Sequence, residues 1–268
     1  MQVSQATLSR FYGFERFLCP SSELLSPVDK SRASSLSDMV IRNIPNSVKM
    51  KKLFTLILLM AATAIASAQV KKVSILGDSY STFQGANPEG CAPFYPNDRN
   101  DVKDVAQTWW SLYIKAMGYE LDQNNSWGGT TVCNTGYGHR DVTSSSFNAR
   151  AGMLGTPDII FLFGGTNDAW ANAPIGEYKY ADWTDDDCKA YRPALACLLN
   201  KLHTLYPKAK VYAILNSELK EDINESTRQI CKHYDVQLIE LVDIEKQNGH
   251  PSIKGMQAIC DQLKKAIK

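Results

Sequence analysis

The chain is poor in the residue patterns that bind metals. Only 4 of its 268 residues are histidine, and its 4 histidines and 7 cysteines form neither a C-x-x-C nor an H-x-x-x-H motif. Zinc sites usually draw their ligands from such closely spaced pairs. The sequence therefore predicts no metal site and no cofactor.

An excess of charge of either sign is also missing. The formal net charge is +1, and 21% of the residues are charged. Such a chain offers no basic surface to phosphates. We therefore expect no nucleic-acid partner and a small neutral or weakly charged ligand.

One long, mostly apolar run is present, at residues 53–65. It is shorter than the roughly 20 residues of a membrane-spanning helix. It follows Met-Lys-Lys at 50–52 and precedes Ala-Ser-Ala at 66–68, the order of regions in a secretory signal peptide. We expect cleavage that leaves Gln69 as the N-terminus, no stable membrane insertion afterwards, and export to a periplasm or out of the cell.

The chain is therefore divided into three parts. Residues 1–49 are rich in serine, lack apolar periodicity and are interpreted as a non-native or disordered extension. Residues 50–68 are the predicted signal peptide. Residues 69–268 are predicted to form a single domain that is long enough for a sizeable core.

Six of the seven cysteines lie in the predicted mature chain. An even number permits disulfides in an exported protein. Cys91 and Cys133 each follow a motif in a predicted loop, and we expect a bridge between them. Cys188 and Cys197 are predicted to lie on one helix, too far apart along its axis to bond to each other.

Short apolar runs alternate with helical patterns along this domain. Strands are predicted at residues 73–76, 120–123, 158–163, 210–215 and 237–241, and helices at 108–117, 184–206, 222–234 and 252–265. Three of the strands are almost wholly apolar, which is typical of a parallel sheet buried on both faces. The alternation predicts an α/β protein with a three-layer α/β/α doubly wound fold around a five-stranded parallel sheet.

Polar motifs directly follow two of these strands. Gly-Asp-Ser at 77–79 follows the first strand, and Gly-Gly-Thr-Asn-Asp at 164–168 follows the third. In doubly wound sheets the ligand crevice lies beyond the carboxyl ends of the strands, so Ser79 and Asn167 are expected to face the same crevice. A serine hydroxyl is a potential nucleophile, and an asparagine amide can donate a hydrogen bond to an oxyanion.

His250 is the candidate general base. It lies in a Gly-His-Pro turn just before the last predicted helix, whereas the other three histidines lie in a loop or within amphipathic helices. A near-neutral pKa suits a base that takes the proton of Ser79. Together these groups favour a serine esterase.

The order and spacing of the motifs, with Asn-Asn-Ser-Trp-Gly-Gly-Thr at 124–130 as the second of four, resemble the SGNH (GDSL-like) hydrolase family. The resemblance covers about residues 73–265 and implies a flavodoxin-like fold. It also implies that Ser79 is the nucleophile and that its N–H group is an oxyanion donor.

The same resemblance implies further roles for the other motifs. Gly129 matches the glycine of the second block, although the neighbouring Gly128 leaves that choice open. Asn167 matches the asparagine of the third block, and His250 matches the base.

One position departs from the family pattern. The family usually carries an aspartate three residues before the histidine, where this chain has Gln247. Two arrangements remain: a Ser–His dyad whose imidazole is oriented by a backbone carbonyl, which is preferred, or a triad completed by Asp243 or Glu245.

The tryptophans suggest a substrate class. All five lie between residues 109 and 183, and Trp127 and Trp170 adjoin the motifs, where their faces would suit a sugar ring or an acyl chain. We therefore expect an exported serine esterase that removes an O-acetyl or short acyl group from a carbohydrate. The alternatives are a lipid- or thioester-directed hydrolase of the same family and a non-catalytic glycan-binding module on a degenerate scaffold.

Overall fold

The computed structural model describes residues 70–267. The predicted extension at 1–49 and the signal peptide at 50–68 lie outside the described residues and stay predictions. Within 70–267, no helix is long and apolar enough to cross a membrane.

Five parallel strands form the central sheet in the order β2-β1-β3-β4-β5. They are β1 (Lys72–Gly77), β2 (Glu120–Ser126), β3 (Ile159–Phe163), β4 (Lys210–Leu215) and β5 (Gln237–Glu240). Each predicted strand is confirmed, and the largest change is in β2, which continues to Ser126. A separate antiparallel pair, β6 (Lys246–Gln247) and β7 (His250–Pro251), forms a small hairpin.

Helices pack on both faces of the sheet. Those of residues 70–267 are α1 (Trp109–Met117), α2 (Phe147–Arg150), α3 (Thr166–Trp170), α4 (Tyr191–Leu205), α5 (Glu221–His233) and α6 (Ile253–Ala266). Helices α1 and α6 share one buried cluster with the sheet, and α2, α4 and α5 share the other. The three-layer α/β/α prediction is therefore confirmed.

The apolar runs are continuous because both sheet faces are covered. In β3, Ile160 and Leu162 point into the cluster with α4, while Phe161 and Phe163 point into the cluster with α1. This follows from the two-residue alternation of side chains along a strand. Full burial of each such side chain stabilises the fold by about 1.5–3 kcal/mol.

The predicted helix at 184–206 is interrupted, which is a correction. Residues Asp187–Lys189 form a short 3₁₀ turn, Ala190 is extended, and α4 begins only afterwards. Pro193 explains the break, because it has no N–H and its ring excludes the carbonyl four residues earlier, so that a helix tolerates it only in the first turn. Thr184 is not the cap of a helix, although its hydroxyl accepts a hydrogen bond from the Asp187 N–H at 3.2 Å; the cap position of the short turn is Asp186, which makes no side-chain capping bond.

The predicted disulfide between Cys91 and Cys133 is wrong. All six cysteines of the described residues are free, so Cys91 and Cys133 form no disulfide. The Cys133 thiol instead donates to the carbonyl oxygen of Thr135 at 3.4 Å. Cys188 lies in the 3₁₀ turn and Cys197 in α4, so they do not share one helix as predicted, and the neighbouring Cys188 thiol lowers the pKa of Cys197.

Candidate active site

The proposed nucleophile and one proposed oxyanion donor lie beyond neighbouring strands. Ser79 begins the 3₁₀ turn Ser79–Ser81, directly after β1. Asn167 lies in the first turn of α3, directly after β3. Because Gly77 and Phe163 are paired at the ends of these parallel strands, both motifs start at the same edge of the sheet. The order of strands thus brings Ser79 and Asn167 to one crevice.

The side chains of Ser79 and His250 are in hydrogen-bond contact, with Nε2 of the imidazole 2.8 Å from Oγ. The other ring nitrogen, Nδ1, lies 3.1 Å from the carbonyl oxygen of Asn248. Since a carbonyl only accepts, Nδ1 carries the proton and Nε2 is free to accept the serine proton. Burial lowers the pKa of His250 below its usual value, although the bond to Asn248 opposes this. The imidazole is therefore neutral at pH 7 and in the tautomer that a base requires.

Neither candidate for a third triad member contacts the imidazole among the described residues. Glu245 accepts a hydrogen bond from the Ser252 hydroxyl at 2.7 Å and pairs with Lys254 at 3.3 Å. Asp243 is exposed at a left-handed turn with a φ of 52°. Since the Asn248 carbonyl occupies Nδ1, this arrangement favours the dyad over the triad.

Gln247, which stands where the family usually has aspartate, anchors the β6–β7 hairpin. The Asp101 N–H donates to its Oε1 at 2.8 Å, and its Nε2 donates to Asp101 Oδ2 at 3.1 Å. Next to it, Asn100 Nδ2 lies within 3.1–3.3 Å of the carbonyl oxygens of Gln247, His250 and Pro251. The long loop between β1 and α1 thus holds the hairpin that carries the proposed base, His250.

Aromatic side chains surround the imidazole. Phe94 stacks on it with ring centroids 3.4 Å apart and planes inclined by 6°. Trp170 and Tyr80 approach edge-on or tilted, with centroids at 6.0 and 5.2 Å. The Tyr80 hydroxyl also donates to the carbonyl oxygen of Gly249 at 2.7 Å. Stacking and this hydrogen bond restrict movement of His250.

The two glycines of the second motif have different surroundings. A Cβ on Gly128 would collide with the carbonyl oxygen of Ala92, so glycine permits a close approach of two backbones there. Gly129 has a φ of +75°, lies in the cavity wall, and a Cβ on it would meet nothing within 4 Å. Both glycines line the cavity, so the choice of Gly129 over Gly128 as the second oxyanion donor stays a prediction.

The Asn167 amide is held at both ends. Its Nδ2 donates to the carbonyl oxygen of Thr130 at 2.9 Å, and its Oδ1 accepts from the Tyr137 hydroxyl at 2.7 Å. An amide nitrogen carries two hydrogens, so one remains for a bound oxyanion.

A buried carboxylate fixes the start of the loop after Gly129. Asp168 accepts hydrogen bonds from the backbone N–H groups of Val132 and Cys133 at 2.9 and 3.1 Å. Burial raises the pKa of Asp168, while these N–H groups oppose the shift. The last residue of the third motif is therefore a backbone anchor for the loop and does not contact the imidazole.

A buried arginine ties the strand ends together beneath the motifs. Arg150 donates to the carbonyl oxygen of Gly77 at 3.3 Å and to the Thr130 hydroxyl at 2.9 Å. Burial lowers the pKa of Arg150 to about 9, so it remains charged at pH 7. Burial also raises the pKa of Asp78 to about 7, although the charge of Arg150 opposes this shift.

An open cavity of about 280 Å³ unites the proposed groups. It is lined by Ser79, Ala92, Pro93, Phe94, Gly128, Gly129, Tyr137, Asn167, Trp170 and His250. Trp170 is 47% exposed and borders this cavity, and its role in substrate binding stays a prediction. Trp127 does not line it, and its ring instead lies 5.5 Å from the Arg150 guanidinium.

A second groove lacks the chemistry of this cavity. A larger groove of about 640 Å³ runs beside Tyr180 and His233, but it contains no serine or cysteine nucleophile. Within residues 70–267, no three His, Cys, Asp or Glu side chains are grouped so as to hold a metal ion.

Several residues around the site were not found from the sequence. Phe94, Asn100 and Asp101 lie in a loop without regular structure, and no spacing rule links them to a histidine about 150 positions later. Arg150 ends the one-turn helix α2, which is too short for a periodicity signal. For Tyr80, one sequence signal was available: it directly follows the Gly-Asp-Ser motif at 77–79.

A serine hydrogen-bonded to a histidine lies at the carboxyl edge of a five-stranded parallel sheet. This arrangement is that of a serine hydrolase of the SGNH class. The chain belongs to the GDSL-like lipase/acylhydrolase family, whose model matches residues 71–267. No curated protein matches the chain.

Solved structures agree with this assignment. A protein of Bacteroides ovatus ATCC 8483 assigned to the GDSL-like lipases is 51% identical, with a TM-score of 0.73, over 74% of this chain and 97% of that chain. A GDSL-like lipase of Bacteroides uniformis ATCC 8492 is 49% identical, with a TM-score of 0.74. The match covers 75% of this chain and 96% of that chain. A carbohydrate esterase shares the fold at 14% identity, with a TM-score of 0.53, over 74% and 68%.

Proposed function

We propose that this protein is an exported serine esterase that removes an O-acetyl or other short acyl group from a carbohydrate through an acyl-enzyme at Ser79. The observation that carries this proposal is the 2.8 Å hydrogen bond between Ser79 Oγ and His250 Nε2 in the wall of an open cavity. The bond joins a nucleophile to a base whose tautomer is already correct.

In the first half of the reaction, His250 Nε2 takes the proton of Ser79 as Oγ attacks the ester carbonyl carbon. The carbonyl oxygen becomes an oxyanion, held by the N–H groups of Ser79 and Gly129 and by Asn167 Nδ2. When the C–O bond to the alcohol breaks, the imidazolium gives its proton to the departing oxygen, which leaves an acyl group on Ser79.

In the second half, the neutral imidazole takes a proton from a water molecule that attacks the acyl carbon. The same donors hold the second oxyanion, and its collapse returns the proton from His250 to Ser79 Oγ. The acyl group leaves as a carboxylic acid. In both half-reactions the proton is taken up and released at His250 Nε2. The hydrogen bond to the Asn248 carbonyl oxygen keeps the other proton on Nδ1.

The cavity supports a small acyl group on a sugar. Its volume of about 280 Å³ is slightly below the roughly 300–1,000 Å³ typical of small-molecule sites. Trp170 and Tyr137, exposed by 47% and 38%, border it and offer amphipathic aromatic faces. Residues 50–68 support export, which would bring the enzyme to glycans outside the cytoplasm.

The test compares hydrolysis of p-nitrophenyl acetate by the wild-type protein and by Ser79→Ala. We expect activity in the wild type and its loss in the variant. Ser145→Ala is the control, because Ser145 lies in the loop before α2 and its hydroxyl donates only to the nearby carbonyl oxygen of Val142. Release of acetate from acetylated xylan or an acetylated hexosamine then tests the substrate class.

Two results would replace this proposal by another. Faster hydrolysis of long-chain acyl esters or thioesters than of acetyl esters would assign the lipid- or thioester-directed function. Glycan binding without hydrolysis, and without covalent labelling of Ser79 by a fluorophosphonate, would assign a non-catalytic binding module.

A further inference from the structure

We propose that Tyr137 is a positioning residue for the oxyanion donor Asn167, which it locks and polarises through its hydroxyl. This inference rests on the proposed function, because Asn167 matters in this way only if an oxyanion forms. It adds a role for a residue outside the four motifs.

The geometry leaves the Asn167 amide little freedom. The Tyr137 hydroxyl donates to Oδ1 at 2.7 Å, while Nδ2 donates to the Thr130 carbonyl oxygen at 2.9 Å. A flipped amide would place Oδ1 against the Thr130 carbonyl oxygen, and neither oxygen can donate a hydrogen bond, so the observed orientation of the amide is favoured. The second Nδ2 hydrogen is thereby kept available for the bound oxyanion.

The loop that carries Tyr137 is itself held. Thr135 pairs with Asp141 across the turn, and the Thr135 hydroxyl donates to the carbonyl oxygen of Lys189 at 2.7 Å. The Gly136 N–H donates to the carbonyl oxygen of Arg140 at 2.9 Å. Tyr137 therefore projects from a braced turn, which makes its hydroxyl a fixed partner.

The hydroxyl also acts on the electronic state of the amide. Donation to Oδ1 draws electron density from the nitrogen, so that the remaining N–H becomes a stronger donor through hydrogen-bond cooperativity. Burial raises the pKa of Tyr137, and the phenol stays protonated throughout the neutral range. It can therefore only donate to Oδ1 while the oxyanion forms.

A double-mutant cycle with Tyr137→Phe and Asn167→Ala tests the inference through kcat, KM and the rate of fluorophosphonate labelling of Ser79. Tyr137→Phe removes one hydrogen bond and is expected to lower kcat about fivefold without changing KM. In the Asn167→Ala background, the same change is expected to have no further effect, because the residue that Tyr137 positions is gone.

Tyr178→Phe is the matched control, because the Tyr178 hydroxyl is buried without a hydrogen-bond partner in the described part of the chain. We expect it to leave kcat and KM unchanged. A Tyr137→Phe effect of equal size in both backgrounds, or one confined to KM, would overturn the inference and make Tyr137 a substrate contact. A wild-type protein that neither hydrolyses esters nor is labelled at Ser79 would overturn the proposed function, and the inference with it.

Discussion

Asn167→Ala is the sharpest test of the oxyanion assignment. The change removes one of three proposed donors, and loss of one such donor typically lowers kcat about 100- to 1,000-fold, or about 2.7–4 kcal/mol. Asn167 is buried but borders an open cavity, so water can enter the space that alanine leaves. We therefore expect a loss near the lower limit, about 100-fold.

The loss should appear in kcat with KM nearly unchanged, because the donor acts on charge that develops only in the transition state. Steady-state hydrolysis of p-nitrophenyl acetate measures both constants, with Ser79→Ala as the background. Asn200→Ala, at an exposed position of α4, is the control for an asparagine-to-alanine change. A folded Asn167→Ala protein that retains more than about a third of the wild-type kcat would refute the assignment.

Three further results are expected. The midpoint of the acid limb of the kcat/KM pH profile should lie below pH 6.5, the usual pKa of histidine, because activity requires neutral His250 and burial lowers its pKa. Phe94→Ala uncovers the imidazole and should move this midpoint up toward pH 6.5. A pH profile that the substitution leaves unchanged would contradict this. Gly128→Ala should lower Tm more than Gly129→Ala, since the first collides with the carbonyl oxygen of Ala92 whereas the second introduces only the backbone strain of a side chain at a φ of +75°; thermal melts in which Gly129→Ala is the less stable would contradict the packing argument. N-terminal sequencing of the exported protein should show Gln69 as the first residue. An exported protein whose N-terminus is still residue 50 would disprove the cleavage site.

Most of the fold could be predicted because its signals are local. The apolar runs of β1, β3 and β4 reflect burial on both sheet faces, and Thr108 caps α1 by accepting from the Ser111 N–H, as its position before an apolar helix predicts. The interrupted helix at 184–206 was missed because apolar spacing continues across Ala190. Pro193 was the available signal, since a proline inside a helical pattern marks a start or a break.

The site was only partly predictable, for a physical reason. Ser79 and Asn167 follow strands, and strand order alone places them together. Phe94 and Tyr137 come from loops whose paths depend on buried polar contacts such as those of Asn100 and Asp168, and these contacts leave no periodic trace in the sequence. Trp127 was predicted to bind substrate because it adjoins a motif in the sequence, but it does not line the cavity. Adjacency in sequence does not determine which way a side chain points.

The departure at Gln247 has a definite energetic meaning. A carboxylate next to a catalytic histidine fixes the tautomer and stabilises the imidazolium, and its replacement by an amide in a serine protease costs about 10⁴-fold because the amide holds the wrong tautomer. Here the Asn248 carbonyl can only accept, so the correct tautomer is retained. What is lost is the negative charge opposite the imidazolium. The stacked Phe94 and the hairpin anchored by Asp101 keep the ring aligned, so a dyad at this site is expected to keep orientation and lose only charge stabilisation.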